Sequence, residues 1–469
     1  MTASSSPSTT SAPAGGDVTA AHILPDNIHP AAVPSTPQTP APAPPASFLA
    51  AYDALATSGL APADAAKAQY GLLADWLTNK PGPLFAELRA DRPILVPPLG
   101  PVLITRFRDV IEALGLDDIF TVKPAADAIH VIIGANPFIL GMDDSAPRDH
   151  DQAILRLAVK RDDMEMIRAQ VAVACKTIVE SAAGADGTLN LVQNYTSTVP
   201  LQLAGSYFGI PGPDVPTLGG WLRAMFRATF RNPARDPQID QAAVAAAAQY
   251  RAYVTTLVAD AHAHPSGADT VLNRLVAMQA DGEASFDDEL VMHNLSSLLM
   301  GMIDTTNAAV NFAIDAFLKA PPHLQSAAAA AGADDNDLLV THIFEALRFN
   351  PPVPLLARFS AADQLLARGT DHATLIPAGR LVYVAAGSAM LDETELDSPL
   401  EFRTDRPPHQ YLHLGWGMHR CFGRTLAQVL LVEMVKALLV RSKLRRAPGD
   451  AGIPSFDGPF LKSFSVMFD

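Results

Sequence analysis

Residues 411–423 read YLHLGWGMHRCFG and run directly into RTLAQVLLVEMVKALLV at 424–440. The second stretch repeats its apolar residues at helical spacing, so a glycine-rich loop carrying one cysteine opens onto a helix. Gly415, Gly417 and Gly423 bracket Cys421. Glycine lets a chain turn tightly and approach a large planar ligand, and amides at a helix start favour a thiolate. The pattern presents Cys421 as a metal-ligating thiolate. Three other readings stand beside it: a zinc site from His413, His419 and Cys421, a cysteine nucleophile with His419 as its base, and a merely buried cysteine. Zinc ligation usually wants a second spaced pair, and the chain has none. Cys175, inside the helical AVACKTIV, reads as a small core residue.

Upstream, the longest helical pattern opens at Ser285, with Asp288 three residues on as a cap-like pair, and runs to Ala320 before Pro321 and Pro322. At 1.5 Å per residue such a rod is about 50 Å long. It must cross the body of the protein, which encloses its middle, LLMGMIDTTNAAVNF. There Asp304, Thr305 and Thr306 follow an apolar run, where an acid and two hydroxyls are costly to bury without partners. Either the hydroxyls bond back to the preceding turn while Asp304 finds a salt bridge, or Asp304 and Thr305 are a proton-delivery pair lining a pocket where the helix is locally opened. A second helix near 336–349 places Glu345 and Arg348 on one face, among apolar flanks that predict burial. Asn350, Pro351 and Pro352 end it, and LLARFS and LVYVAA beyond read as strands. Alanine-rich stretches near Ala245 and Ala327 read as helix surface and an inter-helix connection.

The 469 residues, 49% hydrophobic and 18% charged, suffice to bury one large core or two modest ones. With 34 Lys and Arg against 49 Asp and Glu, a formal charge of -15, the chain repels phosphate backbones and anionic lipid, so a nucleic-acid partner is not expected. Its two cysteines, Cys175 and Cys421, cannot supply an iron–sulfur cluster, and a reducing, cytoplasmic setting fits them. The first Lys or Arg is Lys67 and no apolar run spans a bilayer, so neither a targeting peptide nor a membrane anchor is expected. Residues 1–47 hold ten prolines among Ser, Thr and Ala, with only Asp17 and Asp26 charged, and read as a disordered leader.

Taken together, residues from about 50 to the end resemble the cytochrome P450 superfamily of haem-thiolate monooxygenases, in the soluble bacterial style. The family's cysteine loop is matched by LGWGMHRCFG except at its first position, where Leu414 replaces Phe. The Glu-x-x-Arg of the K helix is matched by Glu345 and Arg348, with Arg406 of EFRTDR as the third partner. The oxygen-activating segment of the long I helix is matched by Gly301-Met302-Ile303-Asp304-Thr305. The resemblance implies a mainly α fold with small β-sheets, one domain at 48–469, and haem b (iron protoporphyrin IX) between the I helix and the L helix. It implies Cys421 as the axial thiolate, Asp304 and Thr305 as the relay of protons to dioxygen, and Glu345, Arg348 and Arg406 as a structural network. His419 and Arg358 match the family's propionate contacts.

The chain also departs from the pattern. A His or Gln followed four residues later by Arg usually holds the other propionate, whereas DDSAPRDHDQAILR offers His150 with Arg156 six residues on. Met302 stands at the second glycine of the I-helix motif, and Gly387-Ser388-Ala389 replaces the usual Asn-Arg-Asp. The expected activity is insertion of one atom of O2 into a small apolar substrate, with Met302, Val353 and Leu355 at the pocket beside the apolar segment 120–142. No flavin or iron–sulfur module fits in the chain, so electrons are expected from an external ferredoxin or flavodoxin and its reductase, with Arg420 and Arg424 read either as a dock for an acidic carrier or as ordinary solvated or propionate-facing bases. Two rivals remain: a hydroperoxide isomerase or peroxide-driven peroxygenase, and a non-catalytic haem sensor or carrier.

Overall fold

The computed structural model describes residues 47–133, 138–232, 235–265, 267–280 and 286–469. All of the expected leader except Ser47 lies outside them. The axis of the fold is the helix Asp288–Lys319, 32 residues long and so about 48 Å. Asp287 caps it, its carboxylate accepting the Leu290 N–H at 2.9 Å. The expected start at Ser285 is therefore corrected. Asp288 sits in the first turn, where a negative charge meets the positive end of the helix dipole, and Ser285 lies outside the described residues. Twenty-two of the 32 residues are buried, so the polar groups in the middle of this helix have to find partners on neighbouring elements.

Those neighbours are the helices Val215–Phe230, Asn336–Phe349 and Arg424–Leu439, and the last of these also packs on Met164–Ala185. One core joins Leu299, Val310 and Ile314 of the long helix to Leu347, Leu430 and Met434. The alanine-rich stretch around Ala327 is not a connection but a helix, Pro321–Gly332, which buries Ala327, Ala330 and Ala331. The alanine near 245 lies in Pro237–Ala263, which hides Ala243, Ala246 and Ala247. Small side chains let these helices approach their neighbours closely, so composition alone hides a packing face.

A five-stranded sheet stands beside the helical core in the order Ile94–Leu95, Val102–Ile104, Leu381–Val384, Leu356–Ser360, Phe120–Thr121. Only the second and third strands pair in parallel. The helix Asn336–Phe349 ends because residues before proline avoid the α region, and after Pro351 and Pro352 the chain enters the strand that sets Arg358 opposite Val382. Three smaller sheets complete the described residues. The architecture is mainly α with small sheets, as expected. Among the described residues no helix is long and apolar enough to cross a membrane.

Candidate active site

The cysteine loop is held by its own backbone. Gly415 donates to the Leu412 carbonyl at 2.9 Å and the Cys421 N–H to the Leu414 carbonyl at 2.8 Å, and Gly423 caps the helix Arg424–Leu439. Gly415 (φ +75°) and Gly417 (φ +66°) both lie in the left-handed region, and a Cβ on Gly417 would meet the Leu114 carbonyl at 2.7 Å. These two glycines are required by the turn and by the chain behind it. Burial pushes the Cys421 thiol up, while the Gly423 N–H, Arg424 and Arg420 favour the thiolate. His419 does not serve Cys421 as a base: its Nε2 faces Asp143 Oδ1 at 3.6 Å. His413 is wedged against the Phe344 ring at 4.5 Å, and burial pulls its imidazole down to about 4. Among the described residues no group of three or more His, Cys, Asp or Glu is arranged to hold a metal ion, so His413, His419 and Cys421 do not form a zinc site.

Cys421 lines a cavity of about 1640 Å³, larger than the roughly 300–1,000 Å³ of a typical small-molecule pocket. There is room for a large cofactor together with a substrate. The long helix contributes Gly301, Met302, Thr305 and Thr306 to the wall, the turn after Asn336–Phe349 contributes Val353 and Leu355, and Gly415, Gly417 and Gly423 border it as well.

A haem would bring two carboxylates into this cavity, and the residues present fit that demand. Arg358 is buried, and among the described residues its side chain donates only to the neighbouring Ala357 carbonyl, at 2.9 Å. Arg148 is buried, with Nη2 on the Met418 carbonyl at 2.8 Å. The Nε of Arg148 and the Nε2 of His419 are buried without a hydrogen-bond partner. Asp117 and Asp143 stand in the same corner; burial pushes the Asp117 carboxyl up, and His419, Arg358 and Arg148 draw it back. A buried donor left unsatisfied is costly, and an anionic ligand would satisfy these.

His150 is not in this set. It is exposed, its nearest partner is Asp151 at 3.4 Å, and it does not line the cavity. On the helix Ala146–Ala158 it falls two residues from Arg148, about 200° round the axis. Arg148 and Gln152, one turn apart, face inward instead, with Arg156 a further turn on. The signal was present in the sequence: Gln152 is followed four residues later by Arg156, the family's own order, and both line the cavity one and two turns beyond Arg148.

The long helix is unbroken through 301–305, which corrects the expectation of a local opening. The Thr305 hydroxyl donates back to the Gly301 carbonyl, so a regular turn absorbs it. Thr305 still lines the cavity, whereas Asp304 does not. The Asp304 carboxylate turns to Arg223 of Val215–Phe230, accepting at 3.0 Å from Nε and 2.8 Å from Nη2. Burial pushes this carboxyl up, and Arg223 and then Arg231 oppose it.

Behind the cysteine loop, Arg348 makes a forked pair with Glu345 at 2.9 and 2.8 Å, and Arg406 Nε donates to the same carboxylate at 3.1 Å. The Arg403 N–H and the Tyr411 hydroxyl complete the shell at 3.0 and 3.2 Å. Burial alone would raise the Glu345 carboxyl, but these donors outweigh it and hold it below its ordinary value. Arg348 also donates to the carbonyls of Met390 and Pro399, both at 2.7 Å, so the network ties the loop segments 390–411 to the helix. Tyr411 was not expected in this role from sequence.

A family model described as Cytochrome P450 matches residues 235–466. The chain is similar to the Steroid C26-monooxygenase of Mycolicibacterium smegmatis, 24% identical over 388 residues covering 81% of this chain and 91% of that protein. It is also similar to the Vitamin D(3) 25-hydroxylase of Pseudonocardia autotrophica, 27% identical over 375 residues, 77% of this chain and 86% of the other. Among solved structures, that of CalO2 matches with a TM-score of 0.71 at 21% identity, covering 83% of this chain and 96% of that one. CYP109E1 from Bacillus megaterium in complex with testosterone matches with a TM-score of 0.69 at 20% identity, covering 83% and 98%.

Proposed function

The chain belongs to the cytochrome P450 superfamily and is a haem-thiolate monooxygenase, and from that premise we propose how its own residues carry the reaction. Cys421 Sγ would hold the iron of haem b, and Arg148, Arg358 and His419 would receive the propionates. Bound haem supplies the binding and reductive activation of dioxygen from which one oxygen atom is inserted into substrate. Met302, Val353 and Leu355 present an apolar wall to the substrate and exclude water from the reacting face. Thr305 offers its hydroxyl at that wall and would pass a proton inward once its bond to Gly301 is released. Asp304, held by Arg223 behind the wall, resupplies that proton from the Val215–Phe230 side. Electrons arrive from an external ferredoxin or flavodoxin and its reductase. Arg420 and Arg424, exposed beside the cysteine loop, attract an acidic carrier to the side where the thiolate lies. The protein works in the cytoplasm.

The observation that carries this reading is the presence of Cys421 and Thr305 on the walls of one cavity, from two different elements. One feature favours the peroxide-driven rival: Asp304 is engaged by Arg223 and the Thr305 proton by Gly301, so the relay has to be released before it works. The test begins with the ferrous-carbonyl spectrum of haem-supplemented protein. A thiolate-type spectrum lost in Cys421→Ser is expected; colourless protein, or an imidazole-type spectrum, overturns the assignment. Turnover with a ferredoxin, its reductase and O2 is then compared with turnover on peroxide alone. Turnover on peroxide only would favour the rival.

A further inference from the structure

Arg231 follows the helix Val215–Phe230 as its C-terminal cap and lines the cavity. Its Nη2 donates to the Pro352 carbonyl at 2.7 Å, and among the described residues no carboxylate forms an ion pair with it. The surface it retains lies on the cavity wall, and desolvation pulls its guanidinium down to about 10, with the more distant Asp304 charge opposing. Asp304 is already committed to Arg223. Two guanidiniums thus face one carboxylate, and among the described residues Arg231 keeps its positive charge on the cavity wall without an ion-pair partner. Arg231 is half-buried, and a partly desolvated cation in that state is stabilised when something anionic joins it. The propionate donors do not explain it, because Arg148, Arg358 and His419 come from other elements and crowd around Asp117 and Asp143. The same cavity wall carries the apolar Phe226, Phe230, Leu298, Met302 and Leu355 beside the polar Thr229 and Asn232.

We propose that the substrate is an amphiphile whose carboxylate pairs with Arg231 while its apolar body lies along Leu298, Met302 and Leu355 toward Thr305. The proposal rests on the monooxygenase reading and narrows its substrate class. A planar guanidinium matches a carboxylate in two parallel hydrogen bonds. The fixed head group then sets which carbon of the body reaches the oxidised position.

The test is calorimetric binding of dodecanoate, its methyl ester and dodecan-1-ol to the haem-loaded protein. Dodecanoate is expected to bind tighter than either neutral analogue by about tenfold or more, the size of one charge-assisted hydrogen bond in a dry site. Arg231→Gln is expected to bring the three ligands within about threefold of one another, and Arg231→Lys to keep a preference for the acid. Equal binding of acid and ester by the wild-type protein overturns the proposal. So does an acid preference that survives Arg231→Gln but disappears in Arg156→Gln. Melting curves and ferrous-carbonyl spectra show whether each variant is folded. Should Arg231→Gln fail to fold, the wild-type comparison and Arg231→Lys still decide. Thiolate-ligated haem with no preference for the acid would sink this proposal alone; haem that fails to bind through Cys421 would sink the reading beneath it.

Discussion

Arg223 holds Asp304 from across a helix interface, with Nε and Nη2 both donating to Oδ1 at 3.0 and 2.8 Å. The Asp304 side chain is 5% exposed and that of Arg223 40%. One partner is therefore sealed inside and the other reaches solvent. The pair joins the interior of the long helix to the protein surface, beside the hydroxyl that lines the cavity.

Removing that partner should move a titration. Burial already raises the Asp304 carboxyl and Arg223 is the largest opposing influence, so Arg223→Gln takes away a lowering effect. Asp304 then stays protonated to higher pH, and the alkaline limb of the kcat/KM profile, where a proton donor loses its proton, is expected to shift upward. Asp304→Asn should lose that limb altogether. A profile unchanged in Arg223→Gln would show that the ionisation of Asp304 does not govern turnover.

Thr305→Ala should leave substrate binding nearly intact and lower the product formed per pair of electrons consumed. A fall of about tenfold is expected, the size of one lost hydrogen bond of roughly 1 to 1.5 kcal/mol. Thr305→Ser, which keeps the hydroxyl, should recover much of it. Parallel assays of product, peroxide released and reductant consumed provide the measurement.

Arg148→Gln should speed transfer of haem to an acceptor protein by about 10- to 100-fold, as expected for a charge-assisted hydrogen bond of roughly 1.5 to 3 kcal/mol. His150→Ala should leave it unchanged, because that side chain lies on the outer face of its helix. The opposite ranking would restore His150 as the propionate contact.

Glu345→Gln leaves Arg348 and Arg406 buried without their counter-charge, and about 3 to 5 kcal/mol of stability should be lost at neutral pH. The folded-state carboxyl is depressed. Its contribution is therefore complete above the ordinary glutamate value and is lost as pH falls through the depressed one. Urea midpoints of wild type and Glu345→Gln should accordingly converge on acidification. Midpoints that stayed equally far apart down to acid pH would count against a charged Glu345.

Much of this was legible because its determinants are local. Cys421 sits where a glycine-rich loop opens onto a helix, and backbone constraints act within a few residues. Glu345 and Arg348 share a face because three residues make nearly one helical turn. The apolar period of the long helix announced its enclosure. Its first residue was misplaced because Asp287 has the capping geometry, and several residues in a polar run compete for that role.

Other assignments depended on which helix lies against which. His150 and Arg148 are two positions apart on one helix, and only the direction of the core shows that Arg148 faces inward. Ala327 belongs to a helix whose small side chains resemble linker composition until a packed neighbour is present.

The order of residues along the chain determined the cysteine loop, the long helix and the buried Glu345–Arg348 pair, since each is written in spacings of one turn or less. Tertiary packing alone decided that Arg223 engages Asp304, that Tyr411 joins Glu345, and that Arg231 faces the cavity with no carboxylate paired to it among the described residues. Those side chains meet across 81 residues in the first case and 66 in the second. No local periodicity encodes such a meeting: it exists once the helices have docked and the cost of burying a charge has selected which donor answers which acceptor.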